Sequence, residues 1–248
     1  MKRVVLVTGG SRGIGAAVAR LAAQDGYVVC LSYLRNREAA DEVVSSIAAA
    51  GGTALAVQAD VAVEADVVSL FGQVDASLGR LTALVNNAGI LETQRRVEDM
   101  DAARIGRVFA TNVTGSFICA REAIRRMSTR HGGSGGAIVN LSSRASRLGA
   151  AGEYVDYAAS KGAIDTFTVG LAKEIAAEGI RVNAVSPGVI YTDIHASGGE
   201  PGRVERVKDA IPMKRGGTAE EVARAVLWLL SDDASYTTGA CIDVSGGR

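Results

Sequence analysis

Val4-Val5-Leu6-Val7-Thr8-Gly9-Gly10-Ser11-Arg12-Gly13-Ile14-Gly15 decides the fold. Four apolar residues in a row, with no polar alternation, describe a strand buried on both faces, as in a parallel sheet. The glycines that follow let the chain turn sharply and bring backbone N–H groups against a pyrophosphate at the start of a helix beginning at Gly13. The spacing is Gly9-xxx-Gly13-x-Gly15 rather than the plain GxGxxG, and no Gly-Lys-Ser/Thr follows, so this is not a triphosphate-binding loop. Read without a ligand, the same stretch is only a tight strand-to-helix turn. Its place directly after the first buried strand favours the dinucleotide.

Outward from this loop, short apolar runs alternate with helix-length amphipathic stretches. The runs are 4–7, 28–31, 54–57, 81–85, 137–141, 182–185 and 241–244. The predicted helices are 13–25, 37–49, 64–78, a long stretch ending at Arg130, 154–177 and 218–230. Thr218 with Glu221 three residues on reads as a capping box. Seven strands alternating with helices imply right-handed crossovers and an α/β, doubly wound, seven-stranded parallel sheet flanked by helices on both faces. No break in composition marks a second domain, so residues 1–248 read as one unit.

Composition removes several function classes. Lys plus Arg and Asp plus Glu number 27 each, so no net field draws nucleic acid or anionic lipid, and 4% aromatics leaves little for base stacking. Three widely spaced cysteines, Cys30, Cys119 and Cys241, make a disulfide framework improbable, point to a reducing, cytoplasmic setting and read as small core residues. Two histidines and no CxxC argue against a zinc catalyst, and no metal site is expected. No signal segment or membrane span is visible.

The sharpest chemical feature is Tyr157-Ala158-Ala159-Ser160-Lys161. On a helix, positions i and i+4 share a face, so phenol and ammonium point the same way. A nearby ammonium is expected to lower the phenol's pKa towards working pH, where tyrosine can trade a proton with a carbonyl or alcohol oxygen. Tyr154, with Ala158 four residues on, lacks that partner. Upstream, Asn140-Leu141-Ser142-Ser143 closes a buried strand and sets hydroxyls at its carboxyl end, where ligands bind in open α/β sheets. Capping of a turn is the plainer use of such serines.

The set Thr8-Gly9-xxx-Gly13-x-Gly15, Asn86-Asn87-Ala88-Gly89, Asn112, Ser143, Tyr157-xxx-Lys161 and Pro187-Gly188 resembles the short-chain dehydrogenase/reductase family, in order and spacing, over essentially the whole chain. The resemblance implies a Rossmann-type domain with Tyr157 as general acid/base and Lys161 lowering its pKa and holding the nicotinamide ribose. It implies that Ser143 bonds the substrate oxygen and that Asn112 holds a water in a proton relay. Gly9, Ser11, Gly13, Ile14 and Gly15 would cradle the pyrophosphate. Asp60 and Val61 would border the adenine, and Asn87, Ala88 and Gly89 the adenosine side of the cleft. Pro187, Gly188, Val189, Ile190 and Thr192 would flank the carboxamide, with residues 190–212 as a substrate lid. Ser143 lies 14 residues before Tyr157, one more than in many relatives, which leaves Ser142 beside the favoured Ser143. A homotetramer is also implied, and helices 113–130 and 154–177 carry apolar residues on more than one face.

Cofactor choice follows from the end of the second strand, Leu31-Ser32-Tyr33-Leu34-Arg35-Asn36. An NAD-selective fold sets a carboxylate there for the ribose 2′-hydroxyl; here no acid occurs before Glu38. Ser32 can donate a hydrogen bond, Tyr33 adjoins it, and Arg12 and Arg35 offer planar donor forks suited to a 2′-phosphate. The expectation is NADP(H) and a carbonyl or alcohol substrate: a sugar, a 3-oxoacyl thioester or a smaller ketone. The contrasting reading is a dinucleotide-binding regulatory protein without turnover. His195 reads as a solvated loop residue, His131 as incidental, and Arg95, Arg96, Arg144 and Arg147 as charged rim.

Overall fold

The computed structural model describes residues 2–248. Seven parallel strands form one sheet in the order β3-β2-β1-β4-β5-β6-β7. They are β1 (Arg3–Val7), β2 (Tyr27–Tyr33), β3 (Ala54–Gln58), β4 (Ala83–Asn86), β5 (Gly136–Leu141), β6 (Ile180–Pro187) and β7 (Cys241–Val244). Each of the seven apolar runs became a strand. In register, Val5 faces Val29 on one side and Ala83 on the other.

The pleat explains the unbroken apolar runs. Val5 and Val7 face one layer, packed by helices α1 (Gly13–Gln24) and α2 (Arg37–Ala49) and by a C-terminal helix of residues 219–230. Val4 and Leu6 face the other layer, covered by α3 (Glu64–Ser77) and by helices formed from residues 115–127 and 155–175. With both faces covered, the strands show no polar alternation, and the asparagines they do hold, Asn86, Asn140 and Asn183, are buried and hydrogen-bonded.

The long stretch expected to run to Arg130 is not one regular helix. It is α4 (Ala102–Phe109), a π-turn at Ala110–Thr114, and α5 (Gly115–Met127), followed by a short 3₁₀ turn. After β5 come a short α6 (Ala145–Leu148) and then α7 (Val155–Ile175). Between β6 and α10 (Ala219–Leu230) the chain forms α8 (Ile194–Ser197) and α9 (Arg203–Val207). Thr218 and Glu221 close the capping box that the sequence announces.

The chain winds from β1 out to β3, then crosses back to β4 and winds the other way. The crevice at the carboxyl ends of β1 and β4 is therefore the topological switch point, where open α/β sheets bind ligands.

Candidate active site

The glycine loop is fastened to β4 across this crevice. Buried Thr8 accepts on Oγ1 from the N–H groups of Asn87 and Ala88, both at 3.0 Å. The Asn87 amide donates to the carbonyls of Thr8 and Gly9, at 2.8 and 2.9 Å. Gly9 and Gly13 take positive φ, +62° and +53°. A Cβ on Gly15 would stand 2.5 Å from Asn87 Nδ2 and from the Gly9 carbonyl oxygen, so only glycine fits there. Helix α1 starts with no side-chain cap, leaving its first N–H groups without intrahelical partners. Thr192 reaches over from beyond β6, its Cγ2 3.3 Å from where a Cβ on Gly13 would stand.

The end of β2 is partly as expected. Arg12 and Arg35 are exposed on either side of the loop, and Ser11 and Ile14 are half-buried. Ser32, however, is buried. Its Oγ accepts from the Gly9 N–H at 3.2 Å, and its carbonyl from the Gly10 N–H, so it braces the loop from beneath. Tyr33 is buried beside it. Asp60 is half-buried with Oδ1 capping the Ala62 N–H, and Val61 is buried against α5.

Ser143, Tyr157 and Lys161 meet in one cavity with Asn87, Gly89, Pro187, Gly188, Ile190 and Thr192. Lys161 Nζ donates to the Leu141 carbonyl at 2.6 Å and stands 5.6 Å from the centre of the Tyr157 ring. Burial lowers its pKa to about 8, against the pull of Asp165 one turn on. The expected lowering at Tyr157 is absent. Burial raises the phenol, only the Ser143 hydroxyl opposes this, and the ammonium engages Leu141 instead of the phenolic oxygen. The two serines separate clearly: buried Ser142 donates to the Asp165 carboxylate, whereas Ser143 stands beside the phenol.

Asn112 owes its direction to the π-turn. Its Oδ1 accepts from Ile90 N at 2.8 Å, and its Nδ2 donates to the Ile90 carbonyl and Ser160 Oγ, both at 3.1 Å. The side-chain amide of Asn112 thus fastens Ile90, and hence Gly89, above Lys161. Single-turn π-bulges recur at functional sites.

Sequence reading missed several contributors because they are joined only in space. The Arg104 guanidinium binds the Asp156 carboxylate at 2.7 Å and donates to the Thr93 carbonyl at 2.6 Å, while Asp156 accepts from the N–H of Tyr157 at 2.9 Å. His195 is not a solvated loop residue. It is half-buried in the cavity wall, with Nε2 bonded to the Ile190 carbonyl at 3.0 Å, and burial lowers its pKa. Cys30 and Cys119 are buried core residues as read, but Cys241 is half-buried, 3.3 Å from Ser186 Oγ. Among the described residues no helix is long and apolar enough to cross a membrane, and no cluster of three potential metal ligands occurs.

A glycine loop at the switch point of a parallel sheet, opposed to a Ser–Tyr–Lys group, defines a dinucleotide-dependent oxidoreductase. The chain belongs to the short-chain dehydrogenase/reductase family, whose members use nicotinamide dinucleotides. A family model described as enoyl-(acyl carrier protein) reductase matches residues 9–248. The chain is 63% identical over 245 residues to the uncharacterized oxidoreductase YgfF of Escherichia coli, covering 99% of each. It is 40% identical over 247 residues to a cis-4-hydroxycyclohexanecarboxylate dehydrogenase of Sinomonas cyclohexanicum, covering 99% of this chain and 96% of the relative. A solved short-chain dehydrogenase/reductase from Serratia marcescens superposes with TM-score 0.90 at 33% identity, over 99% of this chain and 97% of that one.

Proposed function

We propose that the protein is an NADP(H)-dependent oxidoreductase that interconverts a carbonyl and a secondary alcohol, with Tyr157 as the general acid/base. The observation that carries the reading is the meeting of Ser143, Tyr157 and Lys161 in one cavity beside the glycine loop. The residues suit the dinucleotide: α1 offers uncapped N–H groups to its pyrophosphate, and Gly15 leaves no room for a side chain. Exposed Arg12 and Arg35, with no acid between β2 and Glu38, support a 2′-phosphate.

When bound, the nicotinamide supplies hydride in reduction and accepts it in oxidation. Ser143 donates a hydrogen bond to the substrate oxygen and holds it beside Tyr157. The raised pKa of Tyr157 keeps the phenol in its acid form at neutral pH, ready to protonate that oxygen. Lys161, charged below about pH 8 and close under the ring, stabilises the phenolate left behind. Asn112 holds the Ile90 segment that closes this side of the site.

The test is oxidation of NADPH and NADH with a panel of ketones. Tyr157→Phe should lower kcat at least ~100-fold, as expected for loss of a general acid, with nucleotide affinity within threefold of the parent. A retained rate overturns the assignment, and equal kcat/KM for the two nucleotides overturns the choice of NADP(H). The reading includes one catalytic domain, a lid over 190–212, a cytoplasmic setting and a homotetramer. Exposed Ile105, Phe117 and Val169 on α4, α5 and α7 support the last. A monomer by light scattering would refute it.

A further inference from the structure

The wall of the cavity opposite the glycine loop has an apolar body, formed by Leu91, Leu148, Ala150, Ala151, Val189 and Ile194. Tyr154, Arg144 and Arg203 are committed to protein partners, whereas His195 Nδ1 is buried in this wall with none among the described residues. Tyr154 spends its hydroxyl on the Gly198 carbonyl at 3.1 Å. Arg144 is paired with Asp243 at 2.5 Å and donates to the Arg248 carbonyl at 2.7 Å.

Arg203 is the cation that faces the cavity from α9. It is gripped by Glu153 at 2.5 Å and Glu200 at 3.0 Å, and its guanidinium lies 5.2 Å from the centre of the Tyr154 ring. Arg206 pairs with the same two carboxylates. Gln94 donates to Glu200 at 2.7 Å. Two arginines thus meet two glutamates, and the cluster carries no net charge. Both glutamates sit below the usual carboxylate range, Glu153 chiefly through Arg203 and Glu200, at about 2, chiefly through Arg206. The neutralisation therefore holds at any working pH. His195 adds no cation, since burial and Arg203 both disfavour its charged form.

Resting on the function proposed above, we propose that Glu153 and Glu200 determine specificity at this site by occupying Arg203, and that the substrate is an uncharged carbonyl compound or secondary alcohol with an apolar body. A carboxylate entering this wall meets a guanidinium whose Nη1 and Nη2 each already donate to a glutamate and whose charge is balanced, so it sheds its water for little Coulombic gain. A sugar faces the same difficulty at most of its hydroxyls, because they need several donors and acceptors. The wall commits Tyr154, Arg144 and Arg203 elsewhere and offers His195 Nδ1 as one free position. An apolar ring or chain loses no hydrogen bonds on entry and covers the leucine and alanine surface. Arg248 also borders the cavity, on its β7 side, and extends into the adjoining one. It is the competing anion site that the experiment has to exclude.

The experiment compares 4-methylcyclohexanone, 4-oxocyclohexanecarboxylate and a ketohexose with the full-length protein and whichever nucleotide it prefers. The methyl ketone should exceed the carboxylate in kcat/KM at least 30-fold and the sugar by more. In the double variant Glu153→Gln/Glu200→Gln, the methyl-to-carboxylate ratio should fall at least tenfold, because Arg203 is released to bind the carboxylate. A parent protein that favours the carboxylate or the sugar overturns the proposal. So does a ratio that the double variant leaves in place, or one that moves only with Arg248→Ala. Binding of the same three ketones to the protein–nucleotide complex, read by ligand-detected NMR, tests the discrimination without turnover. Discrimination in binding with no oxidation of either nucleotide would sink the proposed activity and leave this inference standing; turnover without discrimination does the reverse.

Discussion

Replacing Arg104 by methionine removes one half of an ion pair whose side chains are 4% and 3% exposed. The guanidinium binds Asp156 through Nε at 2.7 Å and Nη2 at 3.4 Å, and it also serves the Thr93 carbonyl. Without it, a carboxylate remains buried with no counter-charge, and breaking a buried pair from one side costs about 3–5 kcal/mol. For a chain of this length each kcal/mol moves Tm by about 2–4 °C, so the variant should melt roughly 6–20 °C below the parent. The double variant Arg104→Met/Asp156→Leu leaves no stranded charge and should recover most of that loss. Urea and thermal unfolding of the four proteins in the cycle give the coupling directly. Because Asp156 also accepts from the N–H of Tyr157, the single variant should lose kcat more than it gains in KM. A cost below about 1 kcal/mol for Arg104→Met, or a double variant weaker than the sum of the singles, would refute the reasoning.

Lys161 should set the alkaline limb of the reductive rate: activity falls as pH rises through about 8, and a flat profile to pH 10 contradicts this. Its folded pKa lies below the ordinary 10.5, so between those values the unfolded chain holds more protons and this group's contribution to stability improves as pH rises. Arg12→Ala should reduce the preference for NADPH over NADH in kcat/KM, by loss of a donor fork from the 2′-phosphate; an unchanged ratio assigns that task elsewhere. Gly15→Ala should weaken nucleotide binding at least tenfold by calorimetry, since the new methyl displaces Asn87 or the loop; parental affinity would show that the loop yields. Thr218→Ala opens the capping box of α10 and should cost about 1 kcal/mol in thermal unfolding.

The sheet was legible because burial on both faces leaves a clear trace: 4–7, 28–31 and 54–57 carry no polar residue at all. Helix ends were legible where chemistry marks them, as at Thr218, whose capping box opens α10. The glycine loop and the Tyr157–Lys161 pair were readable because each is local, within one turn or one helical face. The balance between burial and charge at Tyr157 was not readable, since it depends on what packs around the phenol. The Arg104–Asp156 pair spans 52 residues, and the grip of Glu153 on Arg203 spans 50, so no window along the chain contains either. His195 was misread because its burial depends on how its own loop folds against the cavity, which composition and periodicity do not reveal. The π-turn at 110–114 leaves no mark in hydrophobic periodicity that a plain helix would not.

That π-turn makes the length of the α4–α5 segment a matter of phase. Each residue of an α-helix advances the azimuth by about 100°. The wider π-turn absorbs one residue; wound as a continuous α-helix, the residues between Phe109 and Gly115 would carry the chain that one residue too far round. The faces of α4 and α5 would then be out of step by about that angle. If α4 kept Arg104 on Asp156, then Cys119, Ala123 and Met127 would rotate out of the layer beneath the sheet. If α5 kept its seat, Arg104 would swing away from α7. The wider turn lets a segment of this length serve both surfaces, and Asn112 stands within it. Removing a single residue here would let a regular helix keep both faces in register, so such a deletion costs the protein the widened turn that aims Asn112 rather than the seating of α4 and α5.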